Sequence, residues 1–197
     1  TKQPARHVQP QGRVVEVLGE IDDPGMEIEI AVRKFDVPHE FSPEAAAQAK
    51  QIPQTVRPTD LKGRLDLRDV AFITIDGEDA RDFDDAVFCE EINIGRGKTY
   101  RKGWRLLVAI ADVSHYVRPK DPIDEDAFER GTSVYFPRRV IPMLPEALSN
   151  GICSLNPGED RLAMVCDMVI AGEGARTGRV IAYQFYPAVI HSHARTT

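Results

Sequence analysis

Ala71-Phe-Ile-Thr-Ile-Asp76-Gly-Glu-Asp-Ala-Arg-Asp82-Phe-Asp84-Asp85-Ala-Val-Phe88 joins two apolar runs through ten residues that hold five aspartates and one glutamate. Carboxylates packed this closely repel one another, and beside a buried strand each also loses solvation. A divalent cation is the natural counter-charge, because hard cations take oxygen ligands. The stretch therefore reads as strand, acidic loop, strand, with a magnesium site at the strand end. In an extended chain Asp82 and Asp84 point to one side and Asp85 to the other. Two ions about 3.5–4 Å apart could activate water and stabilise the leaving oxygen of a phosphodiester.

Other acidic motifs fit less well. An EF-hand counted from Asp76 needs Gly at its sixth position, where Arg81 stands. Asp76-Gly-Glu78 matches a strand-borne Asp-x-Glu exonuclease motif, but the further acidic motifs of that chemistry are missing downstream. Asp82-Phe-Asp84 could be a phosphatase nucleophile pair, yet the strand end is at Asp76. The bland alternative is a solvated acidic loop. The flanking apolar runs, and Arg81 and Phe83 in place of Ser, Gly and Pro, argue against it.

Working outward, Gly12 to Leu18 and Met26 to Val32 alternate with strand period around the turn Asp22-Asp-Pro-Gly25, which predicts part of an OB-type barrel. Ser42-Pro43 predicts the start of a short helix over Glu44–Gln51. Residues 53–64, with Pro53 and Pro58, read as a linker. Strands are expected at Phe72–Asp76, Ala86–Ile92, Trp104–Val113, Leu162–Ile170 and Arg179–Tyr186, with a turn around Gly95-Arg-Gly-Lys. Asp121-Pro122 starts a helix that runs to Arg130 and stops at Gly131. A further helical turn is expected at Pro145–Ser149. The class is mixed α+β: a partial OB-type barrel over 1–52, the linker, and a second unit over 65–197.

Composition narrows the function. A net charge of −6 argues against a protein that coats nucleic acid but leaves room for an enzyme with an acidic metal site. Three widely spaced cysteines form no Cys-x-x-Cys pair, which points away from zinc knuckles and disulfide frameworks and toward a reducing cytoplasm. Neither a membrane-spanning run nor a signal peptide is present in the sequence. With Thr1 at its start and His-Ala-Arg-Thr-Thr at its end, the chain reads as a piece of something larger.

Several blocks share one resemblance. Ile75-Asp76-Gly-Glu-Asp-Ala-Arg-Asp82-Phe-Asp84-Asp85-Ala-Val resembles the signature of the RNase II/RNase R (RNB) exoribonuclease family, in its RNase R branch. Val108 to Val117, Gly131 to Pro137 and Ile141 to Pro157 continue the likeness in order. Residues 12–35 look like the latter part of a second cold-shock domain. The resemblance implies processive 3′-to-5′ hydrolysis of single-stranded RNA from its 3′ end to 5′-nucleoside monophosphates. It implies that Asp76, Asp82, Asp84 and Asp85 hold one or two Mg2+, with Mn2+ as a substitute. Asp76 and Asp85 would be metal ligands and Asp84 the residue most directly needed for cleavage. Glu78 and Asp79 fall outside the four.

Tyr135, on its own residues a core aromatic of Val134-Tyr-Phe-Pro137, would correspond to the aromatic that stacks on the 3′-terminal bases. Arg138 and Arg139 beside it could contact phosphates. Asp112 reads as a strand end and His115 as a structural histidine; His191 and His193 carry no functional signal. The remainder of such a catalytic domain is expected in a missing C-terminal part of the same polypeptide, so the chain alone is expected to be almost inactive. A catalytically silent RNA-binding or regulatory module is the alternative from another class.

Overall fold

A computed structural model describes residues 12–95, 101–137 and 139–197. Among these residues, strands β1 (Leu65–Ile75), β2 (Asp85–Ile94), β3 (Arg101–Ala111), β6 (Asp160–Ala171) and β7 (Val180–Thr196) close into a barrel in the order β1-β2-β3-β6-β7. A two-stranded hairpin, β4 (Val134–Phe136) and β5 (Arg139–Ile141), stands apart from it. The barrel neighbours are antiparallel except β1 and β7, which run parallel and seal the cylinder. The β1–β7 register shifts between Leu67 and Phe72, so β1 bends where it curls to meet β7.

Side-chain alternation explains the interior. Leu107, Ala109, Val165, Ala163, Ala188 and Ile190 point inward and are fully buried with Phe72. The small alanines let the cylinder close. One inner stretch is polar: Arg105 pairs with Asp167 at 2.8 Å, and the Tyr186 hydroxyl donates to the same carboxylate at 3.1 Å. Outward-facing positions are also apolar, with Trp104, Ile110, Met164, Tyr183 and Phe185 exposed.

Helix α1 covers Met26–Lys34, α2 Pro43–Ala49 and α3 Pro122–Arg130. Ser42 caps α2, its hydroxyl accepting from Ala45 N at 3.1 Å, and Gly131 ends α3 at φ 71°, a left-handed position that glycine takes without steric cost. Ala45 and Ile123 then join Leu148, Ile152 and Leu155 in the core that extends the barrel interior.

The structure corrects the reading of residues 12–36. Met26–Lys34 is helical, and Gly12–Leu18 forms no strand; the barrel is built by residues 65–196 instead. The alternation of Met26, Ile28, Ile30 and Val32 is misleading, because Ile28 and Val32 also lie one helical turn apart. Both are buried, whereas Ile30, which the strand period would bury with them, is 41% exposed. The helix signals were there: Glu27 and Glu29 in the first turn, Arg33 and Lys34 in the last, and a Glu29–Arg33 pair at i, i+4.

Residues 53–64 are not loosely tethered. Asp60 is buried, held by Arg57 at 3.0 Å and approached by His115 at 3.4 Å, and Arg64 meets Asp112 at 2.5 Å with both side chains buried. Asp112 and His115 thus serve structure, as expected. The turn predicted at Pro145–Ser149 lies at Ala147–Ile152 as a wide π-type turn, with Gly151 outside helical angles. Residues 96–98 of the Gly95 turn fall outside the described residues.

Candidate metal and RNA site

The acidic loop leaves the barrel rim where β1 ends and β2 begins. Its anchor is Phe83, buried in the core between the two exposed or half-exposed carboxylates Asp82 and Asp84. Phe83 N donates to Ser154 Oγ at 3.0 Å, and the Ser154 hydroxyl donates to Arg81 O at 2.9 Å. Leu155 N donates to Phe83 O at 2.9 Å and Ala111 N to Asp84 O at 2.9 Å. A short extended stretch is thereby stitched to residues 154–155 and to the end of β3. Alternation does the rest: with Phe83 inward, Asp82 and Asp84 face the cleft.

On the other flank, Arg195 donates to Gly77 O at 2.5 Å and Glu78 O at 2.6 Å, and its guanidinium lies 5.0 Å from the Phe83 ring centre. Sequence reasoning passed over both Ser154 and Arg195. Only the pairing of β7 with β1 brings Arg195 to this loop, so no local signal could have found it.

A cleft of about 780 Å³ is lined by Asp76, Asp79, Asp82, Asp84, Tyr135 and Arg139, among others. Desolvation, then the charges of Asp85 and Asp82, push the Asp76 carboxyl above its ordinary range, opposed in part by Arg195. Desolvation, then Asp82, Asp85 and Asp76, do the same to Asp84, although the residue as a whole is exposed. Asp76 Oδ2 is buried without a hydrogen-bond partner. These are marks of negative charges held together with partial compensation from Arg195 among the described residues. They are not a preformed cage: among the described residues no group of three or more His, Cys, Asp or Glu side chains converges closely enough to hold an ion.

Tyr135 is no core aromatic. It is 65% exposed, and its hydroxyl donates to Asp82 Oδ2 at 3.0 Å, so the ring overhangs the acidic loop. Arg139 faces the cleft wall but is ion-paired with Glu29 of α1. Arg138 lies outside the described residues. Asp85, the first residue of β2 and opposite Ile110, acts electrostatically on Asp76 and Asp84 and does not line the cleft. His191 bonds Asp160 and His193 lies by Arg68 O, away from the loop.

The chain is similar to known proteins along its whole length. The RNB domain family matches residues 64–197, and a cold shock domain family matches residues 1–42. The chain is 52% identical over its whole length to ribonuclease R of Escherichia coli (strain K12), of which it spans 23%. Ribonuclease R of Mycoplasma genitalium, solved with ribose-methylated single-stranded RNA, superposes with a TM-score of 0.80 at 34% identity. That match covers 92% of this chain and 26% of the other. Yeast Ssd1, described as a pseudonuclease, shares the fold at 18% identity and a TM-score of 0.64, over 90% of this chain and 21% of that one.

Proposed function

The chain belongs to the RNB family, and from that premise we propose that it carries the acidic part of a 3′-to-5′ exoribonuclease centre that hydrolyses single-stranded RNA to 5′-nucleoside monophosphates. It spans 23% of the Escherichia coli relative; the activity we propose is that of a longer, cytoplasmic polypeptide, with little or none expected in this stretch alone. The observation that carries the reading is the pinned Phe83, which turns Asp82 and Asp84 into a cleft overhung by Tyr135.

The donor set fits magnesium: all-oxygen, strongly anionic, with a buried Asp76 oxygen left unpaired. Asp76, Asp82 and Asp84 of the cleft would hold it together with Asp85 at the adjoining start of β2, Asp82 doing so through Oδ1 while Oδ2 accepts from Tyr135. When bound, magnesium supplies the positive charge that neutralises the scissile phosphate and makes water a competent nucleophile. The protein's own part is positional. Ser154 and Leu155 fix the loop, Arg195 stiffens its far side, and the exposed Tyr135 ring offers a face on which a terminal base can stack. Such stacking contributes about 1–3 kcal/mol per base and tolerates any sequence.

A silent RNA-binding module is the competing reading, since the fold alone also occurs in a pseudonuclease. Against it stands the electrostatic strain on Asp76 and Asp84, which a protein without a cation has no reason to keep. Titration with Mg2+ or Mn2+ followed by calorimetry and thermal unfolding decides. Saturating cation should raise the unfolding temperature, and the gain should vanish in Asp76→Asn; no binding and no shift would sink the metal-site reading.

A further inference from the structure

The hairpin that bears Tyr135 has little support of its own. Only three residue pairs join β4 and β5, Val134–Ile141, Tyr135–Val140 and Phe136–Arg139, and among the described residues no third strand flanks them. A lone two-stranded hairpin is marginal in water. Its support comes from α1. Val134, Phe136 and Ile141 pack on Ile28, Val32 and Val37 in a cluster separate from the barrel core. Glu29 accepts from Arg139 on the hairpin and from Arg33 on its own helix. Arg130 of α3 donates to Pro38 O at 3.1 Å and Pro142 O at 3.2 Å, tying the segment after α1 to the one after β5.

We propose that α1 is a positioning element for the cleft and Glu29 its positioning residue, setting the Tyr135 ring over the acidic loop through the β4–β5 hairpin. On the side against α1 Ile141 is buried and Val134 and Phe136 are half-buried, while Tyr135 projects from the other and reaches Asp82. A tilt of the hairpin on α1 therefore moves the ring and the Asp82 hydrogen bond together. The segment before the catalytic domain thus tunes where the RNA end stops. The inference rests on the reading of Tyr135 as an RNA contact.

The test compares Glu29→Ala, Glu29→Gln and Tyr135→Ala in the full-length polypeptide. Hydrogen exchange over 134–141, the length of the final RNA product, and kcat and KM separately are the readouts. Glu29→Ala should speed hairpin exchange up to about fivefold, the scale of one partly exposed ion pair. It should also shift product length in the direction of Tyr135→Ala, with Glu29→Gln between. Unchanged exchange in Glu29→Ala, or faster exchange with unchanged product length, overturns the inference while Tyr135→Ala still shifts the product. If Tyr135→Ala leaves product length unchanged, the RNA-contact reading falls, and this inference with it.

Discussion

Ser154→Ala removes one oxygen and should loosen the whole acidic loop. Ser154 is fully buried, and its hydroxyl both accepts from Phe83 N at 3.0 Å and donates to Arg81 O at 2.9 Å. Alanine fills nearly the same space, so packing is hardly disturbed. What changes is that the buried Phe83 N–H loses its partner, which costs about 1–3 kcal/mol. The Arg81 carbonyl, being nearer solvent, adds up to about 1 kcal/mol. A total of about 1–4 kcal/mol corresponds, at roughly 2–4 °C per kcal/mol for a chain of this size, to a Tm lower by about 2–16 °C. Divalent-cation affinity should fall as well, because Asp82 and Asp84 are aimed only while Phe83 stays seated. Calorimetric unfolding with and without Mn2+, and isothermal titration, measure both. A variant with wild-type Tm and wild-type cation affinity would refute the claim that Ser154 sets the loop.

Further outcomes are expected. Asp84→Asn in the full-length polypeptide should abolish cleavage in a gel assay without weakening RNA binding, since it removes a charge that repels phosphate. In cation-free buffer the same change should raise Tm, because the folded protein holds the Asp84 carboxylate at a cost. Arg64→Ala leaves the buried Asp112 without its cation and should cost about 3–5 kcal/mol, read from the urea midpoint. Hydrogen bonds from Arg57 hold Asp60 below the ordinary carboxyl value of 3.8. Arg105 does the same for Asp167, and for Asp112 the Ser114 and Arg64 hydrogen bonds overcome the effect of burial. The stability these groups contribute is therefore complete above pH 3.8 and is lost as pH falls below it. Asp76 and Asp84, shifted upward, act in the opposite sense, so their neutral variants should show a steeper acid loss in urea midpoints taken across pH.

The strands and the loop between them were legible because their signals are local. Ile73-Thr-Ile and Ala86-Val-Phe have the apolar, β-branched and aromatic character of strands, and β1 and β2 formed there. Ser42-Pro43 and Gly131 are end signals that act through backbone geometry within a few residues, and α2 and α3 begin and end at them. The 26–34 segment is ambiguous in sequence because its apolar residues satisfy two periods at once. Contacts with Ile141 and the hairpin, distant in sequence, favour the helix. Tyr135 looked like a core residue for a related reason: a three-residue strand offers too few positions to tell which face meets a neighbour.

The sequence by itself determined that carboxylates crowd one strand-to-strand connection, because charge density is a property of neighbours along the chain. Alternation within Asp82-Phe83-Asp84 also determined that the outer two share a face. Only the tertiary structure decided that Phe83 is the inward anchor, since that requires Ser154 and Leu155 from seventy residues away. The parallel closure of β7 on β1 decided that Arg195 reaches the loop. The packing of α1 on the hairpin decided that Arg139 is paired and Tyr135 exposed. Long-range placement depends on the closing of the barrel and the burial of apolar faces, and no short stretch of residues carries that information.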